Sequence, residues 1–116
     1  MYKNLKKIIS ATLIATGVFT TVAYASTSYN GGLKTSGGSG YNHALAWTQA
    51  ADGRSQAMAY VAIYERSGVK LASSNNNYGY GYTQTETITA NNHKGNYAVS
   101  RHGRQWNDAY TNSKSF

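Results

Sequence analysis

Residues 94–106 (KGNYAVSRHGRQW) form the most distinctive cluster of chemically useful side chains in this chain. Basic and aromatic residues lie close together there: Lys94, Tyr97, Arg101, His102, Arg104 and Trp106. Basic groups beside aromatic rings suit phosphate or headgroup contacts combined with ring stacking. The segment therefore predicts a ligand-binding hairpin. The alternative is a solvated turn whose aromatic side chains point into the core.

Residues 75–82 (NNNYGYGY) are a second candidate surface, which we expect to be a polar loop. Tyr78 and Tyr80 offer flat ring faces, and the surrounding Asn and Gly residues allow a loop to adapt to a ligand. Such a loop suits sugars or a membrane interface. The alternative is a polar loop with one or two tyrosines anchored in the core.

Acid–base chemistry is limited because the chain has only four carboxylates, Asp52, Glu65, Glu86 and Asp108. A small secreted ribonuclease needs a glutamate, a histidine and arginines around a phosphate, and Glu86, His102, Arg101 and Arg104 supply those types. There is no Gly-x-Ser-x-Gly elbow and no phosphate-loop motif. We expect a protein that is not an enzyme, with no catalytic residues.

Metal and cofactor binding is not expected either. The chain has no Cys, and its three histidines, His43, His93 and His102, lack a metal-ligand spacing. We expect His93 and His102 to be solvated turn residues and His43 to lie within a strand.

Residues 1–25 have the three parts of a secretory signal peptide. Lys3, Lys6 and Lys7 precede an uncharged apolar stretch over 8–22, which ends at Ala23-Tyr24-Ala25. The stretch is short for a spanning helix. We expect cleavage after Ala25 and a secreted, extracellular product without stable membrane insertion.

The charge of the expected product is moderate. Three of the 11 basic residues leave with residues 1–25, so 8 remain against four acids, a net charge of +4. This balance suits anionic partners. Such partners include a Gram-positive cell wall, phospholipid headgroups and nucleic acid, and the charge does not choose among them.

The rest of the sequence predicts strands and turns. Residues 26–40 are a Gly/Ser-rich leader, either flexible or an irregular first edge, and residues 41–116 are the folded domain. Period-two alternation marks strands at 41–48, 55–65 and 82–90, and Asp52-Gly53 predicts a hairpin turn between the first two. The alanines of 55–65 also allow a helix, but Val61, Ile63 and two tyrosines favour a strand. About six strands predict an all-β fold, a small antiparallel β-sandwich or barrel.

The core is expected to be rich in aromatic residues. Large aliphatic residues are few, whereas nine Tyr, two Trp and one Phe remain after residue 25. Each aromatic side chain buries a large apolar area, which suits a domain of this size.

Two short stretches carry a resemblance to a known family: Asp52-Gly53-Arg54, between two predicted strands, and Trp106 followed by Ala109-Tyr110-Thr111-Asn112. In these stretches the chain resembles the lactococcin-972-type bacteriocins, small secreted Cys-free proteins of Gram-positive bacteria. The family's mature chain tends to begin with a Gly-rich segment that holds a Trp, and residues 26–40 lack one. The resemblance implies a β-sandwich and an antibacterial protein that blocks septum formation by binding a wall precursor. With this resemblance, the predicted partner is a bacterial cell-wall precursor or an anionic surface glycan, and no nucleic acid is expected.

The favoured function is thus a secreted, cationic, non-enzymatic antibacterial protein that binds a cell-wall or cell-surface component. A secreted structural, matrix or adhesion protein is the alternative, since uncharged alternating strands without Pro can pair edge to edge. A small secreted ribonuclease is the third hypothesis.

Overall fold

Strands dominate the structure, a computed structural model that describes residues 27–91 and 95–116. The signal peptide predicted over 1–25 and the residues Lys94 and His93 lie outside the described residues. In chain order the strands are β1 (Tyr29–Gly37), β2 (Tyr41–Ala50), β3 (Gln56–Tyr64), β4 (Lys70–Ser73), β5 (Asn77–Tyr80), β6 (Tyr82–Gln84), β7 (Ile88–Asn91), β8 (Tyr97–Gly103) and β9 (Tyr110–Ser115). A short 3-10 helix, η1 (Trp106–Asp108), connects β8 to β9.

The strands form two antiparallel sheets packed face to face, so the predicted all-β sandwich is confirmed. Sheet I has β2 in the centre, β1 on one side, and both β6 and β7 on the other. Sheet II has the order β4-β3-β8-β9, and β5 pairs with β3 beside β4. Inward-facing side chains from both sheets meet in one buried cluster.

Small residues fill this interior, which makes the expectation of an aromatic-rich core wrong. The buried residues between the sheets are mainly alanines, with Val61, Ile63 and Ile88 as the larger members. Successive side chains of a strand point to opposite faces. In β2 the alanine face turns inward, so Tyr41 and Trp47 point outward; β3 likewise turns Tyr60 and Tyr64 outward. The sandwich therefore displays these aromatic side chains on its outer faces.

The Gly/Ser-rich leader contributes a regular edge strand. All nine residues of β1 pair with β2, from Tyr29 opposite Ala50 to Gly37 opposite Asn42. Gly31 makes this strand fit, because a Cβ at that position would lie 2.2 Å from Nδ1 of the buried His102. The packed unit of the structure consequently begins before Tyr41.

The segment 73–90 departs from the sequence prediction in two ways. Residues expected in a polar loop include the strand β5, which pairs with Gln56–Ala59 of β3. The single strand expected over 82–90 is divided into β6 and β7, because Thr85 bonds to Ala46 through both its backbone N–H and its Oγ1. After this break Ile88 and Ala90 point inward, whereas the threonines Thr83 and Thr85 do so before it.

Asp52 organises the connection from β2 to β3, as its predicted turn role requires. Its Oδ1 accepts hydrogen bonds of 2.8 Å from the backbone N–H groups of Arg54 and Ser55, and its Oδ2 accepts one from the Ser55 hydroxyl. The predicted hairpin is wrong, however. β2 and β3 lie in different sheets, and the connection carries the chain across the sandwich.

Replacing Asp52 with Asn is expected to remove an acid-sensitive contribution to stability. Hydrogen bonds from Ser55, through its side chain and then its backbone, and from Arg54 lower the pKa of Asp52 from 3.8 to about 2. The unfolded chain therefore binds a proton at higher pH than the folded chain, and stability falls as the pH drops from about 4 toward 2. Thermal melts between pH 5 and 2 should show a weaker pH dependence in D52N. The exposed carboxylate control E86Q should keep the original dependence.

Candidate ligand-binding face

The alternation along β8 separates two residues that the sequence placed in one cluster. Arg101 points outward from sheet II and is half-buried, whereas His102 points inward and is 0% exposed. The prediction of His102 as a solvated turn residue is therefore wrong. β8 continues through His102 and Gly103 because both pair with β3, opposite Ala59 and Met58.

Arg101 lies over the indole of Trp106. Its guanidinium carbon is 4.2 Å from the Trp106 ring centroid, and its Nη2 donates a 2.8 Å hydrogen bond to the Trp106 carbonyl. A second, longer contact of 3.4 Å joins Nη2 to the carbonyl of Ala109. The loop around η1 thus holds the guanidinium plane in place. Within the described residues no carboxylate forms an ion pair with Arg101, so its positive charge is not neutralised.

The outer face of sheet II carries further aromatic rings along the strands that hold this guanidinium. Tyr60 lies opposite Arg101 in the register and meets Trp106 edge to face at 5.0 Å. Two outward-facing pairs further along, beyond Ala62 and Val99, the Tyr64 and Tyr97 rings are stacked at 5.5 Å with planes 12° apart. Trp106 keeps 39% of its surface exposed. We call this set, Tyr60, Tyr64, Tyr97, Arg101 and Trp106, the Arg101 face.

Tyr78 and Tyr80 extend the Arg101 face on the far side of β3. They lie two residues apart on β5, opposite Met58 and Gln56, which belong to the outward side of β3. Tyr78 is 53% exposed and Tyr80 is 82% exposed. A Cβ at Gly79 would lie 2.3 Å from the carbonyl of Tyr82, so the backbone at Gly79 packs closely against the backbone at Tyr82. These tyrosines therefore stand on a paired strand.

Arg104 differs from Arg101 because its charge has a partner. Its Nη2 lies 3.5 Å from Oδ2 of Asp108, and both side chains are about half exposed. The same carboxylate accepts the backbone N–H of Gln105 at 3.0 Å, and the Arg104 carbonyl accepts a hydrogen bond from Gln56. Arg104 thus lies in the structured loop beside the Arg101 face.

The inward side of β8 holds a polar network. His102 Nδ1 lies 2.9 Å from the Thr48 hydroxyl, and His102 Nε2 lies 2.7 Å from the Ser100 hydroxyl. The Tyr110 ring covers the imidazole at 5.2 Å. Burial lowers the pKa of His102, and its interaction with the Trp47 backbone only partly opposes that shift. With both nitrogens occupied by buried hydroxyls, His102 links the two sheets.

The residue types named for a ribonuclease do not converge. His102 lies inside the sandwich, Arg101 lies on the outer face of sheet II, and Glu86 is exposed between β6 and β7 of sheet I. Among the described residues, no three His, Asp or Glu side chains are placed to hold a metal ion. In the same part of the chain, no helix is both long and apolar enough to cross a membrane.

No protein-family model, curated protein or solved structure matches this chain. The resemblance to lactococcin-972-type bacteriocins accordingly stays a prediction.

Sequence reasoning missed two members of the Arg101 face, Tyr60 and Tyr64. The alternation of residues 56–64 grouped them correctly on one side of a strand. The sequence did not show that this side lies beside Arg101. That placement depends on the register of β3 with β8, whose paired residues are about 40 positions apart in the sequence.

Proposed function

We propose that this chain is an exported, non-enzymatic antibacterial protein that binds a cell-wall or cell-surface component of Gram-positive bacteria through the Arg101 face. The observation that carries the proposal is the guanidinium of Arg101, which is fixed over an exposed indole and has no carboxylate partner among residues 27–91 and 95–116. A planar cation beside aromatic rings recognises a phosphate or carboxylate through paired hydrogen bonds, while the rings contact apolar or sugar surface.

The aromatic residues of this face support binding over a structural role. Burial of alanines leaves tyrosine and tryptophan side chains outside, where they contribute large, rigid contact areas at little entropic cost. Held on β3, β5 and β8, most of these rings are positioned before a ligand arrives.

The matrix alternative requires strand edges that pair with other copies of the chain. The edges β1 and β9 lie on the same side of the sandwich, and Lys114 Nζ approaches the Leu33 carbonyl at 3.5 Å. A lysine over an edge strand discourages edge-to-edge pairing. This contact favours a discrete binding protein over a fibre subunit.

Replacing Arg101 with Gln is expected to weaken binding to purified Gram-positive cell walls at least tenfold. A charge-assisted hydrogen bond contributes about 1.5–3 kcal/mol, and 1.4 kcal/mol corresponds to a factor of ten in affinity. Binding of the original protein should also weaken as salt is raised, because the contact is partly exposed. A sedimentation assay with wall fragments measures both effects.

The matched control is R54Q, which removes the same charge from the exposed connection between β2 and β3. It should bind within about twofold of the original protein. Equal losses in R101Q and R54Q would reduce the interaction to net charge and overturn the assignment of the Arg101 face. Clearing zones on lawns of growing Gram-positive bacteria, lost in R101Q, test the antibacterial part of the proposal. RNA cleavage by clean protein would instead favour the ribonuclease.

A further inference from the structure

We propose that the outer face of sheet I carries a second ligand site, a stacking platform for a neutral glycan. Trp47, Tyr82 and Gly32 build this platform, which lies on the opposite side of the sandwich from the Arg101 face. The inference does not depend on the function proposed for the Arg101 face. If both sites bind their ligands at once, one protein molecule can link two polymer chains of the cell surface.

The indole of Trp47 packs directly against the backbone of Gly32. The two residues are directly paired between β1 and β2. A Cβ at Gly32 would lie 2.2 Å from Nε1, 2.5 Å from Cε2 and 2.8 Å from Cζ2 of the indole. The indole therefore lies against the β1 backbone in space that only glycine leaves open, and this contact restricts its rotation.

Tyr82 places a second ring next to the indole. The centroids of the two rings are 6.3 Å apart and their planes are within 21° of parallel. This spacing is near the upper end for an aromatic pair, so the rings cover each other little; Trp47 is partly buried, and Tyr82 is the more exposed of the two. The Tyr82 hydroxyl donates a 2.9 Å hydrogen bond to Gln84 Oε1, and Tyr82 is 48% exposed.

The groups around these rings have the chemistry of neutral sugar recognition. Gln84 is held through its Oε1, which leaves its amide N–H groups on the other side of the side chain as donors. His43 Nδ1 pairs with the Thr89 hydroxyl at 2.9 Å on the same face. Hydroxyl and amide groups bond sugar hydroxyls, while the C–H faces of a sugar ring pack on aromatic faces.

Charge distinguishes this platform from the Arg101 face. On the strands of sheet I, the described outward residues include one lysine, Lys34, and no carboxylate; Glu86 lies between β6 and β7, outside both strands. A nearly neutral surface offers little to phosphates or polyanions, and it imposes no charge penalty on an uncharged polysaccharide. The occupant we infer is therefore a neutral glycan chain.

Titration with neutral hexasaccharides tests the platform. Cellohexaose, laminarihexaose and chitohexaose are titrated into purified protein carrying W106F, so that the fluorescence reports Trp47 alone. We expect at least one of the three to shift this fluorescence saturably. Calorimetry should then show at least a tenfold loss of affinity in Y82A and in W47A.

Further variants distinguish loss of glycan binding at the platform from loss of folding and from loss of binding at the Arg101 face. G32A should displace the indole and weaken binding, whereas G38A, where a Cβ would come no closer than 3.8 Å to the Tyr41 carbonyl, should not. R101Q should leave hexasaccharide affinity unchanged. Loss of binding at the platform and loss of binding at the Arg101 face can therefore be measured independently. Thermal melts verify that each variant folds.

Three results would overturn the proposal. The first is no saturable binding of any hexasaccharide at millimolar concentration. The second is binding that Y82A leaves intact. The third is concentration-dependent self-association, abolished by W47A, which would assign the face to a second copy of the chain.

Discussion

Gly31→Ala is expected to destabilise this protein more than any other single methyl group added on β1. The new Cβ would lie 2.2 Å from Nδ1, 2.3 Å from Cγ and 2.8 Å from Cε1 of His102, which is buried and bonded on both nitrogens. Overpacking alone costs about 1–3 kcal/mol. Displacing the ring also breaks buried hydrogen bonds, each worth about 1–3 kcal/mol if a partner is left unpaired. Urea denaturation should show a loss of about 3 kcal/mol or more.

A double-variant comparison distinguishes this clash from a general effect on β1. In the H102A background the imidazole is gone, so adding G31A should cost little beyond H102A itself. G38A, near the end of the same hairpin, should remain within about 0.5 kcal/mol of the original protein. Additive losses from G31A and H102A would show that the imidazole is not what excludes a side chain at position 31.

The sequence was sufficient for the strand character of this chain but not for the direction of its faces. Alternation in β2 and β3 sorts alanines from aromatics correctly in both strands. Hydrophobic reasoning expects the larger side chains inside. Here alanines such as Ala46 and Ala59 pack between the sheets, and Gly31 and Gly32 admit single large rings at two points. Period-two patterning does not determine which face is buried when both faces are apolar.

Pairing between strands distant in the sequence explains the remaining differences between the sequence prediction and the structure. The leader becomes β1 because β2 offers it a partner along its whole length, a relation that Gly and Ser content does not reveal. Likewise, the cluster 94–106 looked like one hairpin because basic residues adjoin there. Pairing with β3 keeps residues 97–103 extended, and extension sends Arg101 and His102 to opposite sides. Arg101, Tyr97 and Trp106 therefore belong to the candidate site, as predicted. His102 does not, because the alternation along β8 turns it inward.

Acid is expected to destabilise the folded chain through His102. Burial lowers the pKa of this imidazole from 6.5 in the folded state, while the unfolded chain titrates near the ordinary value. Below about pH 6.5, therefore, His102 is protonated in the unfolded chain but stays neutral in the folded chain until a lower pH. The free energy of unfolding should stay level above pH 7 and fall as the pH decreases, by up to about 1.4 kcal/mol per pH unit. Urea denaturation at intervals from pH 7.5 to 5 measures this slope.

The groups that face His102 leave no other source for the effect inside the sandwich. Thr48 and Ser100 do not titrate in this range, and burial raises the pKa of Tyr110, so it stays neutral. H102Q retains a hydrogen-bond donor and an acceptor without a titrating ring, and it should flatten the curve between pH 7 and 5. H43Q, which alters a histidine on the outer face of sheet I, should keep the original slope. A slope that survives in H102Q and disappears in H43Q would place the acid sensitivity on the outside of the sandwich.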